Sequence, residues 1–166
     1  PQDYKEALKW YRMSADQGFA VTQYNLGLMY DNGKGVPQDF NEAVKWYRMS
    51  ADQGFANAQL NLGNRYLAGE GVPQDYKEAV KWYKLSADQG FAMAQFQLGY
   101  MYDLGQGLPQ DYKEAYAWYY LAEKNGQKQA KIDIDIISEE MTVEQIIEAM
   151  QLSTEIYNRI EANRQD

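Results

Sequence analysis

Apolar residues recur along this chain on two scales at once. Within short segments they follow helical spacing, as at Phe40, Ala43, Val44, Tyr47 and Ala51. Between segments the whole pattern returns every 36 residues. Pro1, Pro37, Pro73 and Pro109 share one register, as do Trp10, Trp46, Trp82 and Trp118, and Gly18, Gly54, Gly90 and Gly126. A fixed period without insertion or deletion predicts stacked units that bury their apolar faces on one another.

Each period predicts two helices. One begins at "PQDYKEA", where Asp3, Asp39, Asp75 and Asp111 stand as N-caps. Glu6, Glu42, Glu78 and Glu114 follow three residues later, which is capping-box spacing. Gly54 is placed as a left-handed stop. The other helix runs from about Ala20 to Tyr30. Its stripe is Ala20, Leu26, Gly27 and Tyr30, repeated as Ala56, Leu62, Gly63, Tyr66 and as Ala92, Leu98, Gly99, Tyr102. Glycine inside a helix costs about 1 kcal/mol relative to alanine. Its recurrence predicts a helix crossing too close for a side chain. "GKGVPQ" then ends one helix and starts the next.

The last unit departs from the pattern. From Gln127 to Glu140 the glycine and tyrosine positions hold Asp135 and Ser138. "KIDIDII" alternates as a strand would, but its place in the repeat predicts a degenerate helix. Thr142 and Gln145 then form a capping box, with Met141 and Ile146 spaced as a hydrophobic staple. Val143, Ile146, Ile147, Met150, Tyr157 and Ile160 are expected to be the buried stripe of a C-terminal capping helix over Thr142–Ala162. The fold class is thus all-α: antiparallel helix pairs in an α/α solenoid closed by a capping helix. Its segments are an orphan helix (1–18), three repeats (19–54, 55–90, 91–126) and the degenerate helix with its cap (127–166).

Composition narrows the chemistry. A net charge of −8 and a pI near 4.6 argue against a nucleic-acid partner, which needs a basic face. No apolar run approaches the ~20 residues of a membrane span. Cysteine and histidine are both absent, which removes disulfides, thiolate zinc sites, cysteine catalysis and the commonest general base. No cofactor or metal site is expected. A carboxylate hydrolase is the remaining enzymatic reading, but Asp31 and Asp103, the acidic pair on one helix ridge, lie two repeats apart. The chain opens at Pro1 without a signal pattern, which points to a fragment or a processed form.

The stretch "ANAQLNLGNRYLAGEGVPQDYKEAVKWYKLSADQG", from Ala56 to Gly90, resembles the Sel-1-like repeat (SLR) family, a relative of the tetratricopeptide repeats. The match recurs from Ala20 and from Ala92 and covers about residues 1–126. In the family's phase the helix at Ala20 is helix A and the helix at Asp39 is helix B. The resemblance implies a right-handed superhelix whose concave face is lined by A helices. It also implies an interaction scaffold or adaptor, with a bacterial periplasmic or secreted setting. Family members linked to β-lactam binding carry paired cysteines, which this chain lacks, so that activity is not implied here.

Helix A diverges where helix B does not. Units beginning at Pro1 and Pro37 differ at 3 of their first 20 residues and at 8 of the last 16. The variable positions gather on one ridge: Val21, Tyr24, Leu28, Asp31, then Asn57, Leu60, Asn64, Leu67, then Met93, Phe96, Tyr100, Asp103. By the tetratricopeptide analogy this ridge faces the groove. Apolar and aromatic residues with polar neighbours are what a binding patch needs. Asn25, Asn61 and Gln97 form an amide ladder able to bond an extended peptide backbone. The expected partner is a protein or peptide, held by apolar pockets more than by charge, with Leu60 and Tyr100 as hot spots. The alternative is end-to-end self-association through the first helix, which carries Tyr4, Ala7, Leu8 and Tyr11.

Overall fold

The computed structural model describes residues 2–164, with side chains from Glu6 to Arg164. Asp3 and Tyr4 therefore lie outside the residues whose side chains are described. Nine helices and no strand occur among the described residues. The chain divides into two compact units, residues 1–82 and 83–166.

The first unit holds α1 (Gln2–Asp16), α2 (Ala20–Asn32), α3 (Phe40–Ala51), α4 (Ala56–Ala68) and the start of α5 (Tyr76–Ala87). Its core gathers Ala15, Leu26, Tyr30, Ala43, Tyr47, Leu62 and Trp82. The Asp39 carboxylate accepts from the amides of Asn41 and Glu42 and so starts α3. Only this half of the expected box forms, because Glu42 turns instead to Lys45. Gly33, at φ 65°, ends α2 in the left-handed conformation that favours glycine. A Cβ on Gly27 would lie 2.6 Å from the Tyr47 ring, so the close crossing expected from the repeated glycine is present. Leu8 and Tyr11 are partly buried against this core, and α1 exposes Trp10 and Met13 instead.

Polar residues that recur in register hold the pairs together. Gln23 is buried, donates to the Ala15 carbonyl (3.2 Å) and accepts from Gln53 (2.7 Å). Gln59 repeats the bond to Ala51 (3.2 Å). Ser50 donates to the Ala20 carbonyl (2.7 Å), and Arg12 to the Tyr30 phenol (2.7 Å). The bonds from Gln23 and Gln59 occupy carbonyls in the last turns of α1 and α3, among the groups a helix end leaves without intrahelical partners.

The second unit holds the rest of α5, α6 (Ala92–Leu104), α7 (Tyr112–Lys124), α8 (Ala130–Ser138) and α9 (Val143–Asn163). Its core gathers Ala115, Tyr116, Tyr119, Ala130, Ile134, Ile137 and Ala149. Gly99 meets Tyr119 as Gly27 meets Tyr47, with a Cβ-to-ring distance of 2.7 Å. Gln95 donates to the Ala87 carbonyl (3.3 Å) and accepts from Asn125 (2.8 Å). "KIDIDII" is helical: α8 buries Ala130, Ile134 and Ile137, spaced i, i+4, i+7, and leaves Ile132 and Ile136 exposed.

The Thr142 capping box is complete, and Met141 and Ile146 both pack on the core. Of the stripe expected on α9, Ile146 and Ile160 pack inward and the other four residues do not. α9 packs along α7 through Ala149, Ser153, Ile156 and Ile160. Val143, Ile147, Met150 and Tyr157 are exposed. Ala149 and Ser153 permit close approach to α7, and that contact outweighs the larger apolar residues on the neighbouring face. The far end of α9 is tied back to the α5–α6 turn. Arg159 donates to Asp88 (2.8 Å) and Arg164 to the Gln89 carbonyl (3.1 Å).

Candidate functional site

The variable ridge falls on α2 and α4 in the first unit and on α6 in the second. On α2, Val21 is 55% exposed, while Tyr24 and Leu28 are partly buried against the core. The Tyr24 ring lies 5.2 Å from Phe55 and 5.9 Å from Tyr47. On α4, Leu60 is only 7% exposed and belongs to the packing, not to an open surface. Asn57, Asn61, Asn64 and Leu67 are half-buried.

A polar network occupies the C-terminal part of this ridge. The buried Tyr47 phenol donates to Asp31 Oδ2 at 2.9 Å. Arg65 Nη1 lies 3.2 Å from Asp31 Oδ1, pairs with Glu70, and its guanidinium stacks on the Phe40 ring at 5.2 Å. Burial pushes the Tyr47 phenol far above its ordinary range, and the Asp31 charge adds to the shift. Burial likewise raises Tyr24. The Asn61 amide favours the ionised forms of the Tyr24 and Tyr47 phenols and so opposes part of the upward shift. Asp31, read from the sequence as a groove residue, thus already has partners within the chain. Asn25, the first member of the amide ladder, is half-buried.

On α6 the ridge is more open. Met93 is 41% and Tyr100 39% exposed. Phe96 is half-buried with its ring 5.4 Å from Tyr119, and Gln97 is also half-buried. Tyr119 donates to Asp103 Oδ2 at 3.5 Å. The charge of Asp133, on α8, also disfavours ionisation of Tyr119, and the Asp103 charge disfavours ionisation of Asp133. Burial raises both carboxyls above the ordinary carboxylate range, and for Asp133 the Asp103 charge adds to it.

Asp133 was not visible as a site residue from the sequence. Its signal was its register: it stands 36 residues after Gln97 and continues the amide ladder with a carboxylate. Among the described residues no group of three or more acidic, cysteine or histidine side chains is placed to hold a metal ion. No helix among them is long and apolar enough to cross a membrane. The surface offers exposed apolar and aromatic contacts beside fixed polar groups, which is chemistry for binding.

Comparison with known proteins agrees with this architecture. Residues 1–19, 20–55, 56–91 and 92–127 match the family model for the Sel1 repeat. A protective antigen from uropathogenic Escherichia coli, described as displaying an SLR fold, is similar in structure. It shows 36% identity and a TM-score of 0.86 over 93% of this chain and 33% of its own. A Sel1 repeat protein from Oxalobacter formigenes shows 38% identity and a TM-score of 0.77 over 81% of this chain and 55% of its own. The cysteine-rich protein B of Helicobacter pylori, at 20% identity and a TM-score of 0.61 over 77% of this chain and 92% of its own, shares the fold. This chain therefore spans about a third and about half of the first two proteins. A search of the curated proteins finds no match.

Proposed function

The chain belongs to the Sel1 repeat family, whose members generally serve as protein-interaction scaffolds, and from this we propose that it is a non-catalytic adaptor. It binds an extended protein segment through the ridges of its A helices. The observation that carries this reading is the contrast within those helices. Leu26, Gly27, Leu62, Leu98 and Gly99 are constant in register and buried. Val21, Met93 and Tyr100 vary and are exposed. Exposed Met and Tyr residues suit partner contact, because Met adapts in shape and Tyr buries a large area at low entropic cost.

The test is a selection of dodecapeptides from a random display library on the immobilised chain. Affinities of the selected peptides are then measured by fluorescence polarisation. Met93→Ala and Tyr100→Ala should each weaken binding by more than about 1 kcal/mol, roughly fivefold. Tyr157→Ala, exposed on α9, should leave affinity unchanged. Unchanged affinity in both α6 variants would reject the ridge as the site.

A further inference from the structure

The outer face of α9 carries an apolar stripe that the fold leaves bare. Val143, Ile147, Met150, Thr154 and Tyr157 recur at alternating steps of four and three, which puts them on one side of the helix. Val143 is 69%, Ile147 51%, Met150 48% and Tyr157 49% exposed. α9 seats on α7 through the neighbouring side, Ala149, Ser153, Ile156 and Ile160, so closing the solenoid does not use the stripe. Large apolar side chains held out in such a row are the anchors of a contact with another helix.

Two further features of the same face point to what covers it. The first is a cleft of about 430 Å³ between α7 and α9, at the C-terminal end of the stripe. The buried Leu121 lines it from α7 with Tyr120 and Lys124, and Thr154 and Tyr157 line it from α9. The Lys124 ammonium lies over the Tyr120 ring, 5.1 Å from its centre. The cleft thus offers aromatic walls and one cation, which suits an apolar or aromatic anchor and repels a basic one. The second feature is charge. On the side of the stripe away from the cleft, the helical wheel places Glu144, Glu148, Gln151 and Glu155. Glu148 is paired with Lys113. Glu144 and Glu155 are exposed, and among the described residues they belong to no ion pair.

We infer that the outer face of α9 is a second docking surface, distinct from the A-helix ridges, and that its partner is an amphipathic helix with a basic flank. About four turns of partner match the run from Val143 to Tyr157. Its apolar residues lie along Ile147 and Met150, and a large apolar side chain enters the cleft beside Tyr157. Lysine or arginine on its other flank meets Glu144 and Glu155. A second copy of this chain fits less well. A two-fold pair of α9 faces would set acidic flank against acidic flank. One row of side chains is also the footprint of a single helix, smaller than the roughly 20–30 residues a side of a stable dimer.

The test uses the whole chain and two synthetic, fluorescent four-turn helical peptides with leucine and tryptophan at the same positions. One carries lysine on its flanks and the other glutamate. Fluorescence polarisation should show the lysine peptide binding about tenfold tighter or more. Ile147→Ser, Met150→Ser and Tyr157→Ala, all at exposed positions, should each weaken it about fivefold or more. Glu144→Lys combined with Glu155→Lys should reverse the preference between the two peptides. Tyr100→Ala should leave the lysine peptide unaffected, which separates this surface from the ridge. Equal or no binding of the two peptides would overturn the inference, and so would a lysine peptide indifferent to the three α9 variants. Self-association in sedimentation equilibrium that Ile147→Ser abolishes would also overturn it, because the occupant would then be a second copy. None of these failures touches the ridge reading, whose own variants are Met93→Ala and Tyr100→Ala.

Discussion

Gly27→Ala is a sharp test of how these helices pack. In an open helix the change would stabilise by about 1 kcal/mol, because alanine is the better helix former. Here the new Cβ would sit 2.6 and 2.7 Å from two carbons of the Tyr47 ring and 3.3 Å from the Ala43 carbonyl. Ordinary carbon contacts are about 3.5–4.0 Å, so the overlap is near 1 Å. Tyr47 cannot swing aside freely: it is fully buried and its phenol is tied to Asp31 at 2.9 Å. Overpacking of this kind costs about 1–3 kcal/mol. After the propensity gain, the net change should be a loss of up to about 2 kcal/mol. Urea unfolding followed by circular dichroism at 222 nm measures it. In a Tyr47→Ala background the same change should turn neutral or stabilising, giving a coupling of about 2 kcal/mol. A Gly27→Ala protein about 1 kcal/mol more stable than the wild type, with no coupling to Tyr47→Ala, would refute the close-crossing explanation of the recurring glycine.

Other outcomes follow from the same geometry. Leu60→Ala should destabilise the fold by about 2–4 kcal/mol in the same unfolding assay, because the leucine is buried. Thr142→Ala removes the hydroxyl that accepts the Gln145 amide and should cost about 1 kcal/mol, read as a lower urea midpoint. Asp133→Asn should raise the urea midpoint at neutral pH. The Asp133 carboxyl is held above its ordinary range by burial and by Asp103. Its contribution to stability is therefore complete below the ordinary carboxylate pKa and is lost as pH rises through the raised one. The gap between variant and wild type should close below about pH 4. A gap independent of pH would contradict the assigned cause.

Much of the fold was legible because the repeat reports the same packing several times over. The caps at Asp39 and Asp111, the stop at Gly33 and the glycine crossings all follow from local chemistry that recurs in register. The face of α9 was not legible, because nothing repeats it. A count of apolar residues favours Val143, Ile147 and Met150, whereas the helix seats on Ala149 and Ser153. The site was half legible. The ridge could be drawn on a wheel, but burial of Leu60 and engagement of Asp31 by Arg65 depend on neighbouring helices. The effect of the Asp103 charge on Asp133 joins residues of two different helices, which a single-helix wheel does not show.

The most direct measurement is a ¹⁵N–¹H chemical-shift map of the chain titrated with a selected peptide. The account predicts that perturbed amides fall on the A-helix ridges, on α6 around Met93 and Tyr100. Shifts confined to α3, α7 or α9 would contradict it.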